Sequence, residues 1–474
     1  MEFDKDLQAR QEARQLLHRA EAAQKQLAQF PQEKLDTIVK AIADAIDGAA
    51  TELADMAVRE TGFGNVEDKV TKNRFASKTL WNAIKDIKTV GVLKTSPEEK
   101  LWEIGVPVGV IAAIIPSTNP TSTVCYKAMI ALKSGNAIVF SPHPKAIACT
   151  LRAAKLASAA AEKAGAPAGS IGCLSIPSMD GCRELMQGEE TRLILATGGP
   201  AMVRAAYSSG KPAIGVGAGN GPAYIHRSAD LGHALDCIVR SKTFDFGTVC
   251  ASEQSIIVEA PMEEAVRREG AARGFYFMNK DEAGSLAKLL FKPNGTLNPQ
   301  IVGKSATTLA QMAGFSVPGS TKVLVAREQE AGPTRPYSME KLCPVLAFFV
   351  MDSEDAVLAK AVEVLTHEGS GHTFAMHATD EAVIRKFALQ IPVSRFLVNT
   401  PAALGGIGAT TPLFPALTLG CGAVGGSSSS NNISPLDLIN IRRVAWDKEK
   451  QIPKQQVNDD LVEILTAKIL ERLK

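Results

Sequence analysis

The apolar residues near the start of the chain recur at the spacing of helices. Leu35, Ile38, Ile42 and Ile46 follow one another at intervals of three or four residues, which places them on one face of a helix. Gly62 comes after this region. It predicts a helix end there, because glycine readily adopts the left-handed conformation that closes many helices. We therefore predict that about the first 60 residues form helices.

From residue 106 onward, short apolar segments alternate with helical ones, which predicts an α/β fold. The apolar segments contain so few polar residues that we expect parallel sheets covered by helices on both faces. Ligands of such sheets bind at the carboxyl ends of the strands. The predicted strands are residues 106–115, 137–140, 171–176 and 192–196, followed by 254–259, 322–326, 345–350, 373–377 and 395–399.

Three segments lie outside this alternation. The glycines of residues 215–221 are interpreted as an interdomain turn or as part of a cofactor site. Residues 425–432 are rich in glycine, serine and asparagine, but an apolar run follows them, so we predict an ordered surface loop rather than a linker. Near the end of the chain, apolar residues of 457–473 line one face of a predicted helix.

Charge and hydropathy exclude two classes of protein. The chain has 52 lysines and arginines against 50 aspartates and glutamates, a net charge of +2, which argues against a nucleic-acid-binding surface. No apolar run reaches the roughly 20 residues of a membrane helix, and the first residues lack the pattern of a signal peptide. We expect a soluble, cytoplasmic protein that binds neither nucleic acid nor membrane.

The eight cysteines include one candidate nucleophile. No two of them have the Cys-x-x-Cys spacing, so we expect neither a metal site nor a dithiol motif. Cys250 follows a glycine-containing turn and precedes a predicted strand. A turn exposes a thiol, and its free N–H groups stabilise a thiolate or an oxyanion. A buried structural cysteine is the alternative interpretation.

Other candidate residues follow predicted strands. Asn119 stands between two prolines after the first strand, where it is either a donor to developing negative charge or a helix cap. The segments 141–144 and 197–200 close two further strands, and the second also opens a helix, which suits a pyrophosphate group. His372 is either a base or a surface residue. Glu340, taken alone, is a solvated loop carboxylate.

Taken in order, the segments 105–120, 141–144, 250–254 and 417–422 resemble the coenzyme-A-acylating branch of the aldehyde dehydrogenase superfamily. The resemblance covers about residues 10–448 and implies a short-chain aldehyde, NAD and coenzyme A as reactants. It implies that Cys250 is the nucleophile and that Asn119 and the Cys250 N–H form an oxyanion hole. His372 is the proposed base for coenzyme A. The implied cofactor-binding residues are Ser141, Pro142, His143, Thr197, Gly198, Gly199, Gly217 and Glu340.

One departure from the hydrolytic members of the superfamily is informative. Those enzymes carry a glutamate base in a Glu-Leu-Gly-Gly-Lys segment, and alignment on Pro222 places Val216 at that position. Because valine cannot deprotonate water, we expect the acyl group to leave to a thiol instead. The alternatives are an acylating sulfoacetaldehyde dehydrogenase, a hydrolytic dehydrogenase and a non-catalytic microcompartment scaffold.

The resemblance also implies the organisation of the chain. We expect a homo-oligomer, a dimer or tetramer, formed through segments 94–104 and 439–446. The 457–473 helix looks like the encapsulation peptides that bind shell proteins of bacterial microcompartments; an oligomer contact or a packed terminal helix is the alternative. The predicted parts are a Rossmann-type NAD-binding domain of residues 1–222, a catalytic domain of residues 223–420, a return segment of residues 421–452 and a tail of residues 453–474.

Overall fold

The computed structural model describes residues 4–448 of the 474-residue chain. Its helices are α1 Lys5–Leu27, α2 Gln32–Gly48, α3 Ala50–Thr61, α4 Val66–Arg74, α5 Leu80–Ile84, α6 Pro120–Lys133, α7 Ile147–Lys163, α8 Met179–Gln187, α9 Pro200–Tyr207, α10 Leu231–Thr243, α11 Glu263–Ala272, α12 Lys280–Leu290, α13 Ala306–Met312, α14 Glu354–His367, α15 Glu381–Ala388 and α16 Ala402–Gly406. Its strands are β1 Gly91–Ser96, β2 Leu101–Pro107, β3 Val110–Ile114, β4 Ala137–Ser141, β5 Ile171–Cys173, β6 Thr191–Thr197, β7 Ala213–Val216, β8 Gly221–Ile225, β9 Glu253–Glu259, β10 Phe275–Phe277, β11 Val323–Arg327, β12 Val345–Met351, β13 Gly371–His377, β14 Val393–Val398 and β15 Ile439–Ala445.

The helical start of the chain is confirmed. The apolar residues of α2 that recur at helical spacing, Leu35, Ile38, Ile42 and Ile46, are all fully buried. Gly62 ends α3 with a φ of 69°, the left-handed conformation expected of a closing glycine. These first helices pack against α6, α7 and α8, so they cover the first of two large sheets.

Two parallel sheets form the body of the molecule, which confirms the α/β fold class. The first has the strand order β5-β4-β3-β6-β7, and the second the order β10-β11-β12-β9-β8-β13-β14. Neighbouring strands in both sheets run parallel. Every residue of β3, β4, β9 and β13 is buried. Burial on both faces explains why β3 and β4 consist almost entirely of apolar residues.

The prediction of one strand over residues 106–115 was wrong. The segment is divided between β2, which ends at Pro107, and β3, which begins at Val110 in a different sheet. Between them Gly109 has a φ of 129°, and its N–H donates to Asn136 Oδ1 over 2.9 Å. A continuous apolar run does not show where one strand ends and the next begins, so it does not reveal that its two parts belong to different sheets.

The predicted strand 171–176 is also shorter than expected. It ends at Cys173, because the N–H groups of Ser175 and Ile176 donate to the Glu12 carboxylate on α1 rather than to a neighbouring strand.

The serine-rich loop of residues 425–432 is an ordered loop, as predicted. Ser427 Oγ donates to Gly215 O over 2.9 Å, and Ser428 Oγ donates to Ala213 O over 2.6 Å.

A third, antiparallel sheet with the order β1-β2-β15 contains most of the predicted oligomerisation segments 94–104 and 439–446. Val92, Trp102 and Ile441 in this sheet are each about 40% exposed.

Within residues 4–448, none of the helices has the length and apolar character needed to cross a bilayer. The predicted tail helix lies outside the described residues, and the four-part division of the chain stays a prediction.

Candidate active site

A cavity of about 240 Å³ opens where strand ends from the two large sheets meet. The residues after β3, β6 and β7 contribute to its wall, and so does the turn that precedes β9. This is the edge at which parallel sheets bind their ligands. The cavity brings together Asn119, Cys250, Glu340 and Val216, which the sequence analysis singled out from four separate segments.

Cys250 lies half-buried on this wall. The segment before it contains residues with positive φ angles, which are unusual for residues other than glycine. Asp245 and Phe246, shortly before it, have positive φ angles of 48° and 49°. The segment that contains Gly219 packs directly against the backbone of Cys250. A Cβ atom at position 219 would lie 1.8 Å from Cys250 O. A glycine at position 219 is therefore required for the two segments to lie together.

The environment of Cys250 favours the thiol over the thiolate in the ligand-free protein. Burial raises the pKa of the Cys250 thiol to about 12, and the nearby Glu340 carboxyl adds to the increase. The Cys250 thiol must therefore lose its proton before its sulfur can act as a nucleophile.

Asn119 precedes α6 but does not cap it. The structure shows no side-chain hydrogen bond from Asn119 to the start of the helix, and Pro120 is its first residue. Instead, Asn119 Oδ1 accepts a hydrogen bond from Lys72 Nζ over 2.6 Å, and Asn119 Nδ2 donates to Thr248 O over 3.1 Å. The alternative interpretation of Asn119 as a helix cap is therefore excluded, and its amide faces the cavity.

A second cavity of about 430 Å³ adjoins the first. The two share His143, Thr197, Gly198 and Gly199, so they form one continuous groove. Backbone N–H groups at the start of α9 face this groove, which suits the pyrophosphate of a dinucleotide. Each predicted cofactor-binding residue lines one or both cavities: Ser141, Pro142, His143, Thr197, Gly198, Gly199, Gly217 and Glu340.

Glu340 is not the solvated loop carboxylate that its sequence context alone indicates. Its Oε1 accepts a hydrogen bond from Gly219 N over 2.9 Å, and its own N–H donates to Glu368 Oε2 over 2.7 Å. Burial, with the neighbouring Glu368, raises the pKa of the Glu340 carboxyl to about 8. The carboxyl lies in the cavity, where it can accept hydrogen bonds from ligand hydroxyl groups.

The structure does not bring His372 to this cavity. Its side chain is fully buried in β13, where Nδ1 lies 2.9 Å from Thr373 Oγ1. Its Nε2 has no hydrogen-bond partner among the described residues. Burial holds the pKa of His372 well below its usual value. The assignment of His372 as the base for coenzyme A stays a prediction, and this arrangement does not support it.

Sequence reasoning missed Lys72, which lines the cavity and bonds to Asn119. Lys69 and Lys72 are three residues apart on α4, on the same side of the helix. Charged residues at this spacing usually form an exposed face, so the pattern contains no signal of a buried site.

Known proteins are similar to this chain over most of its length. The model of the aldehyde dehydrogenase family matches residues 6–274. The chain belongs to this family. It is 45% identical to the bifunctional aldehyde-alcohol dehydrogenase of Escherichia coli over 92% of its own length and 50% of the relative's. It is 37% identical to the succinate-semialdehyde dehydrogenase (acetylating) of Clostridium kluyveri, over 94% of its own length and 98% of the relative's.

Solved structures of this family superpose on nearly the whole chain. An acetylating aldehyde dehydrogenase from Geobacillus thermoglucosidasius is 50% identical, with a TM-score of 0.92 over 95% of this chain and 100% of that one. A propionaldehyde dehydrogenase from Rhodopseudomonas palustris with bound propionyl-CoA is 29% identical, with a TM-score of 0.83 over 92% of this chain and 94% of that one. The resemblance to acylating aldehyde dehydrogenases is confirmed. The chain spans about half the length of the bifunctional relatives.

Proposed function

We propose that this aldehyde dehydrogenase converts a short aldehyde, such as acetaldehyde or propionaldehyde, reversibly into its coenzyme A thioester, with NAD as oxidant. The observation that carries the proposal is Val216, which lies in the wall of the Cys250 cavity. The side chain is 4% exposed and has no group that accepts a proton. A site with this residue favours transfer of an acyl group to a thiol over transfer to water.

In the first half of the reaction, the Cys250 thiol gives up its proton to solvent water, and its Sγ adds to the aldehyde carbonyl. Negative charge develops on the aldehyde oxygen, within reach of Asn119 Nδ2 and the Cys250 N–H. Of the two Asn119 N–H groups, one donates to Thr248 O, and the other lies near Thr118 Oγ1 at 3.3 Å. The oxyanion takes the place of that longer contact. In other acyl-transfer enzymes, removal of one such oxyanion donor lowers kcat about 10²–10³-fold.

NAD, when bound, supplies the acceptor for the hydride that leaves the tetrahedral adduct. The residues present fit this group, because the start of α9 offers N–H groups to a pyrophosphate and Glu340 can accept hydrogen bonds from a ribose. Loss of the hydride leaves an acyl thioester on Cys250.

In the second half, the thiolate of coenzyme A attacks this thioester, and Cys250 leaves as a thiolate that recovers its proton. Apolar side chains in the wall, Ile407, Leu417 and Leu419, limit access of water to the thioester. The R. palustris relative with bound propionyl-CoA supports coenzyme A as the acceptor.

The cavity favours a neutral aldehyde over sulfoacetaldehyde. An anionic substrate needs an available cation, and neither Arg335 nor Lys242 lines the cavity. Arg335 pairs with Glu330 on the surface, and Lys242 is buried and donates to Gln254 Oε1. Lys72 does line the cavity, but its N–H groups already bond to protein acceptors.

The proposal is tested by measuring NADH absorbance with acetaldehyde or propionaldehyde, in the presence and absence of coenzyme A. We expect sustained NADH formation only with coenzyme A, and at most one equivalent per active site without it, because the acyl group then stays on Cys250. Sustained turnover to the free acid without coenzyme A would identify a hydrolytic enzyme. No reaction with either aldehyde would make sulfoacetaldehyde the next substrate to measure.

We further propose that the chain forms a dimer or tetramer through the β1-β2-β15 sheet and that residues 453–474 attach it to a microcompartment shell. The exposed Trp102 and Ile441 support the first proposal, since soluble surfaces rarely group large apolar side chains without a partner. Truncation before residue 454 is expected to leave activity and the light-scattering mass unchanged but to abolish co-purification with shell protein. If the truncated protein lost its activity or its oligomeric state, the tail would have a role in the enzyme itself, which would contradict the proposal that it only binds the shell.

A further inference from the structure

A buried cluster of charges lies directly behind Asn119. Lys69 and Lys72 on α4 are only 2% and 3% exposed, and the Asp245 side chain between them is fully buried. Asp245 Oδ2 accepts hydrogen bonds from Lys69 Nζ over 2.8 Å and from Lys72 Nζ over 2.5 Å. Removing three charges from water is costly, so the cluster is expected to have a role besides stability.

Lys72 Nζ has four acceptors within reach for its three N–H groups. The three shorter hydrogen bonds go to Asp245 Oδ2, to Asn119 Oδ1 over 2.6 Å and to Thr248 Oγ1 over 3.1 Å, and Thr248 O lies further away at 3.4 Å. A lysine ammonium can only donate hydrogen bonds, so the Asn119 amide must present its oxygen to Lys72. The Thr248 carbonyl can only accept, so the amide must present its NH₂ group on the other side. The cluster thus determines which end of the Asn119 amide faces Thr248 and the cavity.

We propose that Lys72 is a positioning residue that orients and polarises the Asn119 amide as an oxyanion donor. This inference rests on the proposed function. A cation bonded to the amide oxygen draws electron density from the nitrogen, which makes the N–H groups stronger donors. It also places positive charge behind the oxygen on which negative charge develops. Asp245, in turn, holds Lys72 in place.

Lys69 provides a matched control. It lies on the same face of α4, is equally buried and bonds to the same oxygen of Asp245. Its other hydrogen bond goes to Thr118 O over 2.8 Å rather than to the Asn119 side chain. Replacement of either lysine therefore removes one cation from the cluster, but only replacement of Lys72 releases the Asn119 amide.

The test compares Lys72→Met with Lys69→Met, since methionine keeps most of the apolar stem and removes the charge. We expect Lys72→Met to lower kcat for acyl-CoA formation about 10- to 100-fold, with the KM for NAD unchanged, because the lost interaction acts at the developing oxyanion. Lys69→Met is expected to lower the melting temperature about as much as Lys72→Met does. It should lower kcat by less than about threefold, because the Asn119 amide keeps its bond to Lys72. Equal losses of kcat in the two variants would show that the cluster is only structural.

A double-mutant cycle separates this inference from the proposed function. If Lys72 acts through Asn119, Lys72→Met should reduce kcat little further in an Asn119→Ala background. Independent, multiplicative losses would overturn the inference. A normal rate in Asn119→Ala would instead contradict the proposed oxyanion hole. A slow Asn119→Ala together with a normal Lys72→Met would overturn only the role of Lys72.

Lys72→Arg covers the case in which Lys72→Met does not fold. Arginine keeps the positive charge next to Asp245 and so protects the fold, but its planar donors do not reproduce the geometry of an ammonium group. We expect a folded variant with kcat lowered at least about threefold, an unchanged KM for NAD and the same non-additivity with Asn119→Ala. A stable Lys72→Arg with wild-type kcat would contradict the role of Lys72.

Discussion

Replacement of Cys250 by alanine is expected to lower NADH formation from acetaldehyde at least about 10³-fold, both with and without coenzyme A. The cavity offers the aldehyde one nucleophilic sulfur, that of Cys250, among its described lining residues. Without that sulfur there is no adduct from which hydride can leave. The measurement is NADH absorbance in the presence of coenzyme A, with NAD binding followed separately to show that the groove is intact.

Two control variants sharpen this result. Cys250→Ser keeps the size of the side chain but has a much weaker nucleophile, so it should be nearly as inactive as Cys250→Ala. Cys237→Ala removes a buried thiol from α10, away from both cavities, and should keep the wild-type rate. Substantial activity in Cys250→Ala would show that another group attacks the aldehyde and would contradict the mechanism.

The raised pKa of Cys250 also determines how its reactivity depends on pH. With a pKa of about 12, only a small fraction of Cys250 is thiolate at neutral pH. As long as the pH stays below the pKa, this fraction rises about tenfold for each unit by which the pH increases. The rate of Cys250 alkylation by iodoacetamide in the cofactor-free protein should therefore rise steadily from pH 7 to pH 10. A plateau that begins below pH 9 would show that the free site already stabilises the thiolate.

Replacement of Val216 by glutamate is expected to produce sustained NADH formation without coenzyme A, at least about tenfold above the wild-type rate under the same conditions. The new carboxylate lies in the wall of the Cys250 cavity and can deprotonate water for attack on the acyl thioester. Since the Val216 side chain is almost fully buried, burial should raise the pKa of the introduced carboxyl. Turnover without coenzyme A should therefore increase with pH as the carboxyl ionises.

The matched control is Val216→Gln, which has nearly the same shape as the glutamate variant but cannot accept a proton from water. It should remain dependent on coenzyme A, and the product of Val216→Glu should be the free acid. Equal turnover without coenzyme A in the two variants would show that a change of cavity shape, rather than a base, admits water. The proposed significance of Val216 would then be wrong.

Much of the architecture and of the site could be predicted from the sequence. Short apolar segments between helical ones predicted two parallel α/β units, and the structure confirms their parallel strands. The segments that follow these strands, around Asn119 and Thr197, were therefore expected at the ligand-binding edge, where they now line one groove. These features depend on periodicity and on the order of residues along the chain, which are local properties.

The tertiary structure alone decided which charged and polar side chains are buried and what they contact. Lys72 is buried because Asp245, 173 residues further along the chain, balances its charge. His372 is fully buried in β13, although its sequence context favoured either a base or a surface residue. The apolar run at 106–115 is divided between two strands that belong to different sheets. The pattern of apolar residues predicts which segments are buried. A buried charge pair, the boundary between two sheets and the burial of a single polar side chain depend on partners that are distant in sequence, and only the fold brings these together.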